Sequence, residues 1–371
     1  MENVNLTPVI KNIGPSIKVP ANASRLFETI DEALRQPIGE IQLVARSDRE
    51  YIYNLAFEIS QIRYDLNYCT SNVFHLKESK DYFERLLPKL ARFNSFVEIG
   101  CGQGEFIEYL KDLGFDAAGF DPVLKQPTNY LFNQLWTISN ERDLIPTIDF
   151  LNTLYIMRCV LPHIPEPYSF LDSIFYQHPN AGVLIEFQRR DWIEQNKVWP
   201  QISHDHVNIF SENDFQHHYS VLASGVFSNN EWAYVLLTKR LRPVEGVVEA
   251  MSINDRFEKL FVTREEELAH LNELDRPIAI YGAAGKGIVF GHALIDSGLF
   301  NVCAIDADKN RHGRYMDSSG IRVLGLEEAI KNLPKNSIIA VMNPNHLVSV
   351  SEYYNQQFDV ACIGQLTKII H

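Results

Sequence analysis

Cysteine is scarce in this chain: Cys69, Cys101, Cys159, Cys303 and Cys362 lie far apart and none forms a C-x-x-C pair. That spacing argues against a disulfide framework and against a cysteine-rich metal site, and makes a reducing cytoplasm the expected location. Basic residues are outnumbered, 34 Lys and Arg against 47 Asp and Glu over 371 residues, for a formal charge of −13. Duplex affinity comes largely from cations neutralising phosphates, so no nucleic-acid partner is expected. The same deficit argues against a protein held on anionic lipid by charge. No apolar run is long enough to span a bilayer, and the first residues (MENVNLTPVIKNIGPSIKVP) lack a signal-peptide core. What is present is ordinary globular composition, 46% hydrophobic and 22% charged, in a chain long enough for two or three domains.

The pattern divides into three regimes. Residues 1 to about 40, punctuated by Pro8, Pro15, Pro20 and Pro37, read as an irregular arm with one helix near Ser24–Leu34. From about Arg49 to Leu90 the spacing turns helical, with Phe83, Leu86, Leu87 and Leu90 recurring every three or four residues. From Ser95, short apolar runs alternate with helical segments, as in SFVEIG, EFIEYLKDLG, DAAGFD and AGVLIEF, and WAYVLLTKR reads as a late strand. This alternation predicts a parallel α/β sheet. After a charged helical bridge at 255–275 it starts afresh with PIAIYG, KGIVFGHALIDSG, FNVCAID, LEEAIKNL and SIIAVMN. The expected fold class is α/β: a helical N-terminal cap (1–90), a central Rossmann-like domain (91–242) and a smaller Rossmann-like C-terminal domain (243–371).

Val97-Glu98-Ile99-Gly100-Cys101-Gly102-Gln103-Gly104 carries the strongest chemical signal. A buried strand ends near an acidic residue, then turns through three alternate glycines into a helix. Glycine permits positive φ and close approach of the backbone, and the helix start offers unpaired N–H groups. The second strand ends at Asp121, where a carboxylate is placed to accept ribose hydroxyls. The spacing is not G-x-G-x-x-G. A carboxylate at Glu98 would repel a pyrophosphate but suits the ammonium and sulfonium of S-adenosylmethionine. E-x-G-x-G-x-G with a strand-end Asp resembles motif I of the class I methyltransferases. On that resemblance Glu98, Gly100, Cys101, Gly102, Gly104 and Asp121 bind the cofactor, Cys101 being chosen for its small size.

FVEIGCGQGEFIEYLKDLGFDAAGFDP also resembles the methyltransferase core of bacterial nucleotide-sugar C-methyltransferases. SHDHVNIFSENDF (203–215) resembles that family's Y-H-E-H-x-x-x-F-S segment. IYGAAGKG (280–287), AIDADKNRHGRYM (304–316) and VMNPNH (341–346) resemble its C-terminal domain. The resemblance implies a methyltransferase acting on a small polar acceptor, a nucleotide-linked sugar. His204, Asp205 and His206 then supply general-base candidates in the acceptor pocket, with Ser203 where the family has Tyr. Removal of a proton beside a ketone needs such a base, and methylation at oxygen would need one as well. His163, in LPHIPEP after the fourth strand, falls where such enzymes line the pocket. Tyr64, Tyr68 and Ser71 fall on a stretch like the family's cofactor-closing helix. The family's N-terminal zinc module is not expected, since no cysteine precedes Cys69, and no metal is expected at His204 and His206 without further ligands. His217 and His218 are expected on a solvated surface helix.

Gly282-Ala283-Ala284-Gly285-Lys286-Gly287 opens a second helix, and Asp306 ends the next strand. By the resemblance, Gly282, Gly285, Lys286 and Asn343, with Asn345 nearby, contact the nucleotide part of the acceptor. Two other readings stay open: a non-catalytic sugar-nucleotide binding protein, and an NAD-dependent oxidoreductase using this second turn. The expected assembly is a monomer or homodimer.

Overall fold

The computed structural model describes residues 10–46, 51–65, 73–145, 148–240, 257–354 and 357–370. Its centre is a seven-stranded sheet: β1 (Ser95–Ile99), β2 (Asp116–Phe120), β3 (Leu131–Phe132), β4 (Thr153–Arg158), β5 (Gly182–Gln188), β6 (Ser220–Phe227) and β7 (Trp232–Thr238), in the order β6-β7-β5-β4-β1-β2-β3. The five strands β1 to β5 run parallel, while β7 is antiparallel to both β5 and β6. Every residue of β1, β4 and β5 is buried, as expected for strands covered on both faces.

Two apolar layers cover this sheet. On one face α1 (Val73–Leu90) and α2 (Glu105–Asp112) bury Tyr82, Phe83, Leu86, Phe106 and Leu110 against Phe96, Ile156 and Leu184. On the other, α3 (Pro167–Gln177) buries Leu171, Ile174 and Phe175 against Val97, Tyr155 and Ile185. Strand β6 has no clear signal in the sequence. It is an edge strand in which only Ala223 and Phe227 are buried, and Gly225 is there because a Cβ would lie 2.7 Å from the Tyr234 hydroxyl.

A second sheet is wholly parallel. It contains β8 (Ile278–Tyr281), β9 (Val302–Ile305), β10 (Val323–Leu324), β11 (Ile338–Val341) and β12 (Asp359–Cys362), ordered β10-β9-β8-β11-β12. Helices α4 (Lys259–Leu274) and α5 (Lys286–Asp296) pack on it, with Leu271, Ile288 and Phe290 in its core. The expected boundary at 242 falls among residues 241–256, outside those described.

The expected N-terminal arm and helical cap are corrected in part: Val73–Leu90 is helical, but the arm is built of strands rather than irregular chain. Residues 10–46 and 51–54 carry six short strands in antiparallel pairs: Ile10–Asn12 pairs with Leu43–Arg46, Ile17–Pro20 with Ile38–Ile41, and Ile52–Asn54 with Asn208–Ile209. The only α-helix described before Val73 is the short Ile30–Leu34, started by a Thr29–Glu32 capping box. Pro15, Pro20 and Pro37 forbid a longer one, and Ile38–Ile41 alternates exposed and buried in the period of a strand. Nor do these strands simply cap the first sheet. Ile13, Val19, Leu26 and Ile41 share one core with Trp199, Leu260, Ile280 and Phe290. Among the described residues no helix is long and apolar enough to cross a membrane.

The tightest contact between turn and helix in the second sheet is at Gly287, where a Cβ would stand 1.8 Å from the Gly282 carbonyl oxygen. Gly287→Ala should therefore cost about 3 kcal/mol of stability. Gly114→Ala, at φ 86 with nothing within 4 Å, should cost only about 1 kcal/mol. Urea unfolding midpoints check the pair; equal costs would remove the close-approach explanation.

Candidate active site

The first glycine turn sits where the sheet order reverses, between β1 and β4. Gly100, Gly102 and Gly104 have φ of 73°, 61° and 94°, and the N–H groups of Gly100 and Cys101 both donate to the Phe120 carbonyl. A Cβ at Gly100 would lie 2.3 Å from Val160 Cγ2, so the loop after β4 rests directly on this turn. Asp121 braces the turn from β2: Oδ2 accepts Gly102 N–H at 2.8 Å and Oδ1 accepts Val123 N–H at 2.9 Å. Each oxygen spends one lone pair on the backbone and keeps another. Burial raises the Asp121 pKa against the pull of those two N–H groups. Cys101 is buried with its thiol pushed up by burial and by Glu98 and Asp121, and it packs under Gly119, whose Cβ would lie 2.8 Å from Sγ. The turn thus brings Glu98, Gly100, Cys101, Gly102, Gly104 and Asp121 together.

Glu98 differs from expectation in having a partner already. Its Oε1 accepts from Arg158 Nε at 2.7 Å, and both side chains are essentially inaccessible. The Arg158 guanidinium also lies 4.5 Å over the Phe106 ring. Burial pushes the Glu98 carboxyl up to about 7, with Arg158 pulling the other way. Glu186, within β5, accepts from the Tyr82 hydroxyl on α1. Sequence reasoning missed Arg158; the available signal was a cation closing the buried apolar run LYIM. The next residue, Cys159, has φ 60° and turns the chain sharply toward Val160 and His163.

The acceptor-side histidines separate into two kinds. His204 is fully buried, with Nδ1 2.8 Å from the Glu40 carbonyl and Nε2 3.4 Å from Glu58 N–H. A carbonyl only accepts, so Nδ1 carries the proton and the Nε2 lone pair is spent on Glu58. A Cβ at Gly39 would lie 2.4 Å from the His204 ring. This ring joins the N-terminal strands to segment 203–206 and has no lone pair left for a base.

His163 and His206 instead face each other, ring centroids 4.7 Å apart. His163 Nδ1 is 2.7 Å from the Asp205 carbonyl, which leaves the Nε2 lone pair free of that bond. His206 Nδ1 pairs with the Gln201 amide nitrogen at 3.2 Å; the amide is the donor, so the ring proton of neutral His206 lies on Nε2. Burial, His163 and Lys286 lower its pKa to about 4, against Asp205. Asp205 is buried and accepts from Ser203 Oγ at 2.8 Å. Burial raises the Tyr64 pKa, and the charges of Asp205 and Asp121 raise it further. Tyr68 and Ser71 lie outside the described residues. His217 and His218 sit in a turn after Phe215 rather than on a helix.

The second glycine turn is built like the first but filled differently. Gly282 and Gly285 have φ of 105° and 53°, and Asp306 Oδ2 accepts Ala283 N–H at 2.9 Å. Arg311 pairs with that same carboxylate at 3.0 Å, and Gly285 N–H donates to the Ala23 carbonyl. The expected phosphate ligands hold a carboxylate of the chain itself. Glu231, from the β6–β7 hairpin, receives Lys286 at 3.1 Å, Asn343 at 2.8 Å, Asn345 at 3.0 Å and Gln188 at 2.7 Å. Lys286 and Asn343 therefore join the two sheets, and the anion position beside the turn is taken.

Among the described residues no group of three His, Cys, Asp or Glu side chains is placed to hold a metal ion. A surface hollow of about 500 Å³, lined by Arg142, Phe150, Leu151 and His178, opens at the amino ends of β4 and β5. That is the edge opposite the glycine turn, and ligands of such sheets bind at the carboxyl edge.

No curated protein shows significant similarity to this chain. Among solved structures, it is similar to the PH0226 protein from Pyrococcus horikoshii OT3, at 14% identity over 44% of this chain and 92% of that one, TM-score 0.28. A SAM dependent methyltransferase from Archaeoglobus fulgidus gives 13% identity over 45% and 98%, TM-score 0.29. DhpI, solved as a complex with S-adenosylhomocysteine (SAH), gives 14% over 47% and 89%, TM-score 0.31. Residues 71–218 match the family model described as a methyltransferase domain. That span holds the glycine turn, Asp121, Arg158 and both facing histidines, so the site lies within a methyltransferase domain.

Proposed function

We propose that the enzyme methylates a small polar acceptor, a nucleotide-linked sugar, at carbon or oxygen, in the cleft between the first glycine turn and segment 201–206. The observation that carries this reading is the seat of Val160 on Gly100, which ties the loop bearing His163 to the cofactor turn. The residues fit the cofactor: Asp121 keeps a lone pair on each oxygen for ribose hydroxyls, and the glycines leave room above the backbone. The bound cofactor supplies a methyl group on a cationic sulfur, already activated, so positioning of the acceptor carries much of the rate.

His163 is the base in this reading. Its Nδ1–H is held by the Asp205 carbonyl, which aims the Nε2 lone pair toward the acceptor proton. His206, neutral at physiological pH, donates its Nε2–H to the oxygen on which charge develops. The sugar assignment is supported by the order of the 203–215, 280–287, 304–316 and 341–346 segments along the chain. Glu231 argues against a phosphate at Lys286 and Asn343, so the nucleotide part is bound without them in this arrangement. The same carboxylate removes the support for a nicotinamide cofactor at the second turn.

Asp121→Ala should weaken SAH binding roughly 10- to 100-fold, since two charge-assisted bonds are lost. Calorimetry giving an unchanged affinity would remove Asp121 from the cofactor site. His163→Ala should lower turnover by about 10² to 10⁴ while SAH affinity stays within twofold. His204→Ala should instead lower stability by about 2 kcal/mol, by stranding the Glu40 carbonyl and the Glu58 N–H, with turnover per folded molecule much less affected. A turnover loss confined to His204→Ala would reverse the two roles. Incubation with a keto-sugar nucleotide and methyl-labelled cofactor, read by NMR of the product, tests the acceptor class; transfer only to unrelated acceptors would discard it.

A further inference from the structure

Asp121 is not the only side chain that joins the first glycine turn to the loop after β2. Gln103, between the second and third glycines, reaches back the other way. Its Nε2–H donates to the Val123 carbonyl at 3.2 Å, and its Oε1 accepts Lys125 N–H at 3.0 Å. A primary amide offers the donor and the acceptor at one end, as these two backbone groups require. Asp121 meanwhile accepts from Gly102 and Val123 N–H. Two side chains thus cross the same gap in opposite directions, and their four bonds hold residues 121–125 against residues 102–103. Leu124, between the two residues that Gln103 grips, is buried, and its carbonyl accepts from Asn133 Nδ2.

We infer that Gln103 is a positioning residue for the cofactor's ribose, acting through Asp121. The inference rests on the methyltransferase reading and extends it to a side chain whose amide is spent on the loop at both ends. Asp121 Oδ1 is tied to Val123 N–H, so the residue whose carbonyl Gln103 holds is also the residue that orients the carboxylate. Without the amide, residue 123 loses its tie to the glycine turn, and the Asp121 carboxylate loses its fixed direction with it. A carboxylate that takes two neighbouring hydroxyls needs both oxygens aimed at once, so disorder there weakens those bonds before any others. Gln103 is half-buried, and fixing it at both ends costs side-chain entropy. That cost is offset where a loop already in its binding conformation takes its ligand more tightly.

The test uses the intact protein and two ligands, SAH and its 2′,3′-dideoxy analogue. Gln103→Met removes both bonds at nearly constant shape, and Gln103→Ala repeats the measurement with a smaller side chain. The wild type should bind SAH about tenfold or more tightly than the dideoxy analogue. In either Gln103 variant, SAH affinity should fall about three- to tenfold, while affinity for the dideoxy analogue stays within about twofold. In an Asp121→Ala background the same Gln103 change should leave SAH affinity unaltered, because the two residues act as one unit. Hydrogen exchange at the Lys125 amide of the ligand-free protein should quicken about tenfold in the variants. Variants that weaken both ligands alike, that leave SAH affinity unchanged or that leave Lys125 exchange unchanged overturn the inference. So does an additive loss in the double variant. A wild type that does not distinguish the two ligands instead brings down the ribose assignment of Asp121, and one that binds neither brings down the methyltransferase reading itself.

Discussion

The contact on which the site depends is the absence of a side chain at Gly100. Val160 Cγ2 occupies the space that a Cβ would take, so the turn after β1 and the loop after β4 are pressed into one piece. Two neighbouring parallel strands normally send their following chains to opposite faces at a switch point, leaving a crevice. Here the crevice floor is closed by this contact. Everything chemical is then placed relative to it: Asp121 braces the turn from one side, and Cys159 and His163 are carried on the other. A larger residue at position 100 would move the histidine as well as the cofactor loop.

The two sheets use the same brace for different ends. Asp121 and Asp306 each end a second strand, and each accepts from the backbone of a preceding glycine turn and from the N–H two residues on. Asp306 is neutralised by Arg311, and the basic and amide groups above its turn close on Glu231. Among the described residues no such cation pairs with Asp121, which retains acceptor capacity. A shared backbone design is therefore open at one turn and sealed at the other, and the difference lies in side chains contributed from outside each motif. The sealing also has a mechanical result. The Glu231 cluster links the β6–β7 hairpin to the second sheet, while Leu26–Phe27, paired with Tyr315–Met316, links the N-terminal strands to it.

What could be read in advance follows from how local the determinants are. Strands β1, β4 and β5 are continuous apolar runs because both faces are covered, and the glycines of the first turn are needed for a backbone that only glycine adopts readily. Both features are written within a few residues. The N-terminal strands were not legible because their partners are distant: Ile52–Asn54 finds Asn208–Ile209, and Leu26–Phe27 finds Tyr315–Met316. The role of His204 was hidden for the same reason, being set by Glu40 and Glu58 rather than by its neighbours in H-D-H. Lys286 had the right local setting for a phosphate, and only Glu231, far away in sequence, changes its meaning.

The facing histidines show how backbone hydrogen bonds assign chemistry to side chains of one type. A ring whose Nδ1 meets a carbonyl must carry its proton there, whereas a ring whose Nδ1 meets an amide N–H must carry it on the far nitrogen. His163 and His206 satisfy these two conditions in turn, through the Asp205 carbonyl and the Gln201 amide. Were both rings protonated, two cations would stand 4.7 Å apart; His206, lowered to about 4 chiefly by burial, avoids that arrangement. The pair is thus held as one acceptor and one donor, the combination on which the proposed methyl transfer draws. Segment 201–206 can impose this only because His204 anchors its middle to the N-terminal strands, which is how residues far from the chemistry set its polarity.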